Sequence, residues 1–128
     1  TARAIALIEA DQHEFILAYH QEYDDLLHET TPFSDGAILA FRHHVAAFGD
    51  LVDAADRCWL RRDRAIVFAP DHGAHLDPET MTGTHGEDIP EDMELRHFYA
   101  FAGKGWTIAD RPEDSGGAGA PGQAGERV

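Results

Sequence analysis

The sequence predicts an α/β fold built on a parallel-sheet βαβ unit, and three observations lead there. Residues 15–19 form a short apolar run of strand length, bounded by charged and polar residues. Ile38, Phe41, Val45, Phe48, Val52, Ala55 and Trp59 then recur at alternating steps of three and four, which places them on one face of a long amphipathic helix. Residues 65–69 give a second short apolar run, closed by Pro70, where a strand must end because proline cannot donate to a ladder. In such a unit the two strands lie parallel and the crossover is right-handed. Both strand ends then open on the same edge of the sheet, where ligands bind.

Taken in order, residues 1–10 alternate Ala with Ile5, Leu7 and Ile8 and lack helix breakers, so a helix is expected there. Residues 15–19 are expected to be a buried strand. Ser34, following Pro32, is the expected N-cap of the long helix, which should stop around residues 60–63. Residues 71–92 are rich in Gly, Pro, Thr and acids and have no period, which reads as a long ordered loop of the kind that carries function. Residues 95–102 are expected to be a further strand. After Arg111 the composition turns to Gly, Ala, Pro and charge, which cannot bury a core. The expected organisation is one domain over residues 1–110 and a disordered Gly/Pro-rich tail over 111–128.

A chain of 128 residues suits one domain with a core of its own. Its longest apolar run is far short of a membrane span, so no membrane crossing is expected. No basic segment followed by an apolar one opens the chain, and the cytoplasm is the expected location. The single cysteine, Cys58, builds no internal disulfide and reads as a buried thiol. A formal net charge of −14 argues against a nucleic-acid surface, which draws its affinity from Lys and Arg. Acidic excess suits cations instead. No Lys or Arg lies between Arg64 and Arg96, whereas Asp71, Asp77, Glu79, Glu87, Asp88, Glu91, Asp92 and Glu94 do, together with His72, His75 and His85. A solvated acidic loop and a cation site both account for that composition.

Spacing carries the chemistry further. Asp24 and His28 are four apart, so on a helical turn they share a face, and a carboxylate with an imidazole suits Zn²⁺ or Mn²⁺. Asp71, His72 and Gly73 follow directly on the strand over 65–69. Adjacent Asp and His at a strand end cannot both point into a core, and a cation partner explains them, the alternative being a surface Asp with a capping His. His85, in Thr84-His85-Gly86, lies on the loop from the same strand end.

The order of strand, Asp24-x-x-x-His28, long helix, strand, Asp71-His72-Gly73 and a downstream His85-Gly86 resembles the C-terminal half of the alkaline phosphatase superfamily. It looks most like the phosphodiesterase, nucleotide pyrophosphatase and phosphomutase branches, over roughly residues 15–102. The resemblance implies an incomplete three-layer α/β sandwich and two divalent metal ions, Zn or Mn. Asp24, His28 and His85 would hold one ion, and Asp71 with His72 the other. It further implies a small-molecule phosphoester substrate. The family's Ser or Thr nucleophile and an additional Asp ligand have no counterpart among these residues; they belong to an N-terminal half that activity would require. Thr30, Thr31 and Ser34 do not match the nucleophile's position. His85 follows His72 closely, as in phosphomutase-like members.

His75, three residues past His72, is expected to support the ligands from behind. His43 and His44 lie off the apolar helix face and are expected to face solvent; His13, His20 and His97 have no spacing partner. The expected function is a metal-dependent phosphoester hydrolase whose metal ligands lie here and whose nucleophile does not. The alternatives are a phosphomutase-type phosphotransferase and a non-catalytic metal-binding domain.

Overall fold

A computed structural model describes residues 1–108, so the tail expected over 111–128 lies outside the described residues. In chain order the elements are α1 (Ala2–Ala10), α2 (Glu22–Glu29), α3 (Asp35–Cys58), β1 (Arg64–Phe68), β2 (His75–Leu76), β3 (Gly83–Thr84), α4 (Pro90–Met93) and β4 (Phe98–Ala102). Helices and strands are mixed, which agrees with an α/β class at its coarsest. No helix among the described residues is long and apolar enough to cross a membrane.

α3 is the backbone of the molecule. Ser34 caps it, its hydroxyl accepting from the Ala37 amide at 3.2 Å, a cap worth about 1 kcal/mol. The helix ends at Cys58. α1 and α2 both pack on it, and its buried residues are mostly small: Ala37, Ala40, Ala47, Ala54 and Ala55, which permits close helix approach. The large residues expected to face a core are less covered. Phe41 and Val45 are exposed, and Ile38, Phe48, Val52 and Trp59 are half-buried.

The parallel βαβ unit expected from the sequence is not formed. Residues 15–19 make no strand, and β1 pairs with β4 in the antiparallel sense, from Arg64↔Ala102 to Phe68↔Phe98. The reason lies in the loop between them. β4 begins opposite the residue where β1 ends, and a chain that re-enters at the end it left can pair only antiparallel. His97 Nε2, 3.1 Å from the Pro70 carbonyl, ties the two ends of that loop. β2 and β3 form a second, minimal antiparallel pair.

One face of the β1–β4 ribbon meets α3, where Phe68 stands edge-on to Phe48 at 5.3 Å. The other face carries Ala65, Val67, Tyr99 and Phe101, of which Tyr99 and Phe101 are 60% and 76% exposed. A helix layer and a ribbon are present; the third layer of the implied sandwich is not among the described residues. At its start β1 is anchored by a buried ion pair between Arg64 and Asp56 of α3. The Asp56 carboxylate also accepts from the Ile108 amide at 2.8 Å, and Arg64 Nη2 donates to the Trp106 carbonyl at 2.7 Å.

Candidate metal centre

α2 is pinned by Leu27, which is fully buried, and this turns Asp24 and His28, one helical turn apart, toward the loops that follow β1. Acidic residues fill its first turn and His28 its last, the arrangement a helix dipole favours. The Asp24 Oδ1 to His28 Nε2 distance is 3.5 Å.

His85 arrives with β3, which lies directly against α2. The Gly83 amide donates to the Thr30 carbonyl at 3.2 Å, and His28 Nδ1 is 3.0 Å from the Gly83 carbonyl. A Cβ on Gly83 would fall 2.5 Å from the Leu27 carbonyl oxygen, so only glycine permits this approach. Two residues later the chain delivers His85 Nε2 to 3.2 Å from His28 Nε2 and 3.3 Å from Asp24 Oδ1.

Asp24 Oδ1, His28 Nε2 and His85 Nε2 thus form a triangle with edges of 3.2, 3.3 and 3.5 Å. Donors held tetrahedrally at about 2.0–2.1 Å from Zn²⁺ lie ~3.3–3.4 Å apart, so the triangle has the dimensions of one tetrahedral face. Hydrogen bonding points the same way. His28 Nδ1 faces a carbonyl, which only a protonated Nδ1 can satisfy, so in the neutral ring Nε2 presents its lone pair to the triangle. Asp24 Oδ1 is buried and has no hydrogen-bond partner. A buried carboxylate oxygen left unpaired is costly, and a cation held there would satisfy it together with both imidazoles. Two imidazole donors suit a borderline cation such as Zn²⁺ better than the oxygen-seeking Ca²⁺ and Mg²⁺.

Asp71 and His72 border this triangle without completing a second one. The His72 ring stacks on His85 at 3.6 Å, and its Nε2 is 3.8 Å from Asp24 Oδ1 and 3.7 Å from Asp71 Oδ1. Its Nδ1 is 2.9 Å from the Gly73 carbonyl. Asp71 is exposed and accepts a hydrogen bond from the Tyr19 hydroxyl at 3.2 Å. The negative charge of Asp71, then burial and that hydrogen bond, push the Tyr19 phenol upward. Among the described residues, Asp24, His28 and His85 are the one group of three whose donor atoms all converge.

The His75 side chain is held by a partner the sequence did not single out, and among the described residues no hydrogen bond or ion pair joins it to Asp24, His28, Asp71, His72 or His85. Its Nδ1 is 2.8 Å from Asp92 Oδ1, and Asp92 is 2% exposed. The other Asp92 oxygen accepts from the Glu87 amide at 2.9 Å, and the Asp92 backbone carbonyl accepts from the Gly73 amide at 2.8 Å. One buried residue therefore links the strand end bearing His72, the hairpin bearing His75 and the loop after His85. A Cβ on Gly73 would lie 1.9 Å from the Glu91 carbonyl oxygen; close approach of α4, with no positive φ, is what demands glycine there. The hydrogen bond to Asp92 holds the His75 imidazole above its ordinary range against the effect of burial. Burial pushes the Asp92 carboxyl up, but the hydrogen bonds from His75 and the Glu87 amide outweigh it and hold the group below its usual value.

Of the remaining histidines, His43 is exposed and pairs with Glu22 at 3.0 Å. His44 departs from the expected solvent-facing position: it is half-buried, stands edge-on to His20 at 5.2 Å, and its Nε2 is buried without a partner. Burial, then the neighbouring His20, push its imidazole down. Thr30 and Ser34 are occupied as caps, Thr30 Oγ1 donating to the Leu26 carbonyl at 2.5 Å and lying 2.8 Å from Ser34 Oγ. Compared with family models, with curated proteins and with solved structures, the chain finds no significant match in any of the three.

Proposed function

We propose that this chain is the metal-holding portion of a phosphoester hydrolase of the phosphodiesterase and nucleotide pyrophosphatase kind, acting on a small-molecule phosphoester. The observation that carries the reading is the triangle of Asp24, His28 and His85, whose edges suit a tetrahedral cation and whose carboxylate oxygen is otherwise unpaired. Bound there, Zn²⁺ or Mn²⁺ would neutralise charge developing on a phosphoryl group and polarise its oxygens. The chain's own part is orientation. Gly83 fixes the His28 ring through its carbonyl, and Asp24 would supply the negative charge. A second ion on Asp71 and His72 forms part of the proposal and needs further donors from outside residues 1–108.

The hydroxyls of Thr30 and Ser34 serve as helix caps, which supports assigning the nucleophile elsewhere. The same observation favours one second reading, a metal-binding domain without catalysis of its own. Thermal unfolding with and without Zn²⁺, alongside hydrolysis of a p-nitrophenyl phosphodiester, tests both. The expected result is a rise in Tm with Zn²⁺, absent in Asp24→Ala, and little or no turnover by these 128 residues. No stabilisation by Zn²⁺ or Mn²⁺ overturns the metal site; strong turnover overturns the assignment of the nucleophile elsewhere.

A further inference from the structure

Two of the three clustered imidazoles are locked through their own Nδ1, His28 by the Gly83 carbonyl and His72 by the Gly73 carbonyl. His85 is not: among the described residues its Nδ1 has no hydrogen-bond partner, and its Nε2 is the atom that faces His28. A histidine that ligates a metal ordinarily has its other ring nitrogen held, which fixes the direction of the ring. The direction of His85 therefore comes from elsewhere. It comes from the His72 ring stacked on it at 3.6 Å and from the course of its own backbone. Before His85, Gly83 fixes that course against α2; after it, the fixing falls to Asp92.

The Asp92 carboxylate accepts from the Glu87 amide at 2.9 Å and is hydrogen-bonded by the Gly86 amide as well, so the two residues that follow His85 close around one buried anion. Gly86 takes a φ of +103° with open space where a Cβ would stand; the turn itself, and not crowding, requires glycine there. The Asp92 backbone carbonyl accepts from the Gly73 amide at 2.8 Å, one residue past His72. A single residue thus grips the chain just after each member of the stack. His75 holds Asp92 Oδ1 while the Glu87 amide holds Oδ2, so the carboxylate cannot rotate without leaving a buried oxygen unpaired. We infer, on the reading that Asp24, His28 and His85 hold a cation, that Asp92 is a positioning residue of that site. It bonds to none of the three donors; it sets the His72–His85 stack and with it the direction of His85 Nε2. His75 serves the site at one further remove, by holding Asp92.

Two variants of the full chain disturb this clasp from opposite ends without touching a donor. Asp92→Ala removes the carboxylate; Gly86→Ala leaves it and strains the turn that reaches it. Asp92→Asn keeps an oxygen for the Glu87 amide and is the conservative rescue. In metal-free protein, proton NMR should show the His72 and His85 ring signals displaced by their mutual ring currents, with the displacement lost in both Ala variants and kept in Asp92→Asn. On titration with Co²⁺, affinity should fall about tenfold or more in the Ala variants, and Asp92→Asn should restore most of it. Ring shifts and Co²⁺ affinity unchanged in folded Asp92→Ala, or in Gly86→Ala where Asp92→Ala fails to fold by circular dichroism, overturn the inference. So does a loss in Asp92→Asn as large as in Asp92→Ala, because the site would then need the charge and not the clasp. Ring shifts that respond as expected in a chain that binds no Co²⁺ overturn instead the cation reading on which the inference rests.

Discussion

α2, the β2–β3 hairpin and α4 are held by hydrogen bonds that cross between elements: Gly83 to Thr30 and His28, Gly73 to Asp92, His75 to Asp92. Residues 12–20, by contrast, make no backbone–backbone bond among the described residues, and Leu17, Val67, Tyr99 and Phe101 meet solvent. The contrast separates two requirements that a parallel-sheet enzyme normally meets together. A triangle of metal donors needs only a few short contacts between neighbouring turns. A parallel sheet needs a layer on each face, and here donor side chains converge without such a sheet.

The two regions can be pulled apart by mutation. Asp56→Ala strips a buried partner from Arg64 at the root of β1, and breaking such a pair costs about 3–5 kcal/mol; urea unfolding that registers under about 1 kcal/mol would mean that β1 is anchored some other way. Gly83→Val drives a side chain into Leu27 and lifts β3 off α2. Zn²⁺ affinity, followed by calorimetry, should fall tenfold or more, about 1.4 kcal/mol, and an unchanged affinity would detach the site from that contact.

A subtler probe is pH. The raised His75 contributes stability in full below its unfolded value near 6.5 and loses it as pH rises through the folded value. The depressed Asp92 contributes above its unfolded value near 3.8 and loses it as pH falls through the folded value. In metal-free protein the coupling between them, read from a double-mutant cycle of Asp92→Asn and His75→Gln, should be larger at about pH 5 than at about pH 9. A coupling independent of pH would mean that the pair is not ionic. Smallest of all is Leu17→Ser, which at a solvent-exposed position should change stability by no more than about 0.5 kcal/mol. A loss of several times that would show residues 12–20 already packed in solution.

Local signals were legible in the sequence and non-local ones were not. The one-turn spacing of Asp24 and His28, the Ser34 cap and the strand before Pro70 are properties of a few consecutive residues, and each appears in the structure. The apolar run over 15–19 has the composition of a strand, but strand formation is settled by what lies alongside, and the sequence does not encode that in any one stretch. The pairing of β1 with β4 across the long acidic loop was hidden for the same reason. Asp92 sits in a run of acids and looks like one more solvated charge until α4 turns it inward onto His75. Gly83 reads as a loop glycine; its role comes from a helix more than fifty residues earlier in the chain.

The measurement that bears most directly on the account is titration of the metal-free chain with Co²⁺, a spectroscopic stand-in for Zn²⁺, followed by visible absorption and then by Zn²⁺ displacement. Expected is an intense tetrahedral spectrum that saturates, is abolished by Zn²⁺, and disappears in Asp24→Ala, His28→Ala and His85→Ala alike. A weak octahedral spectrum, or one that survives all three substitutions, would contradict it.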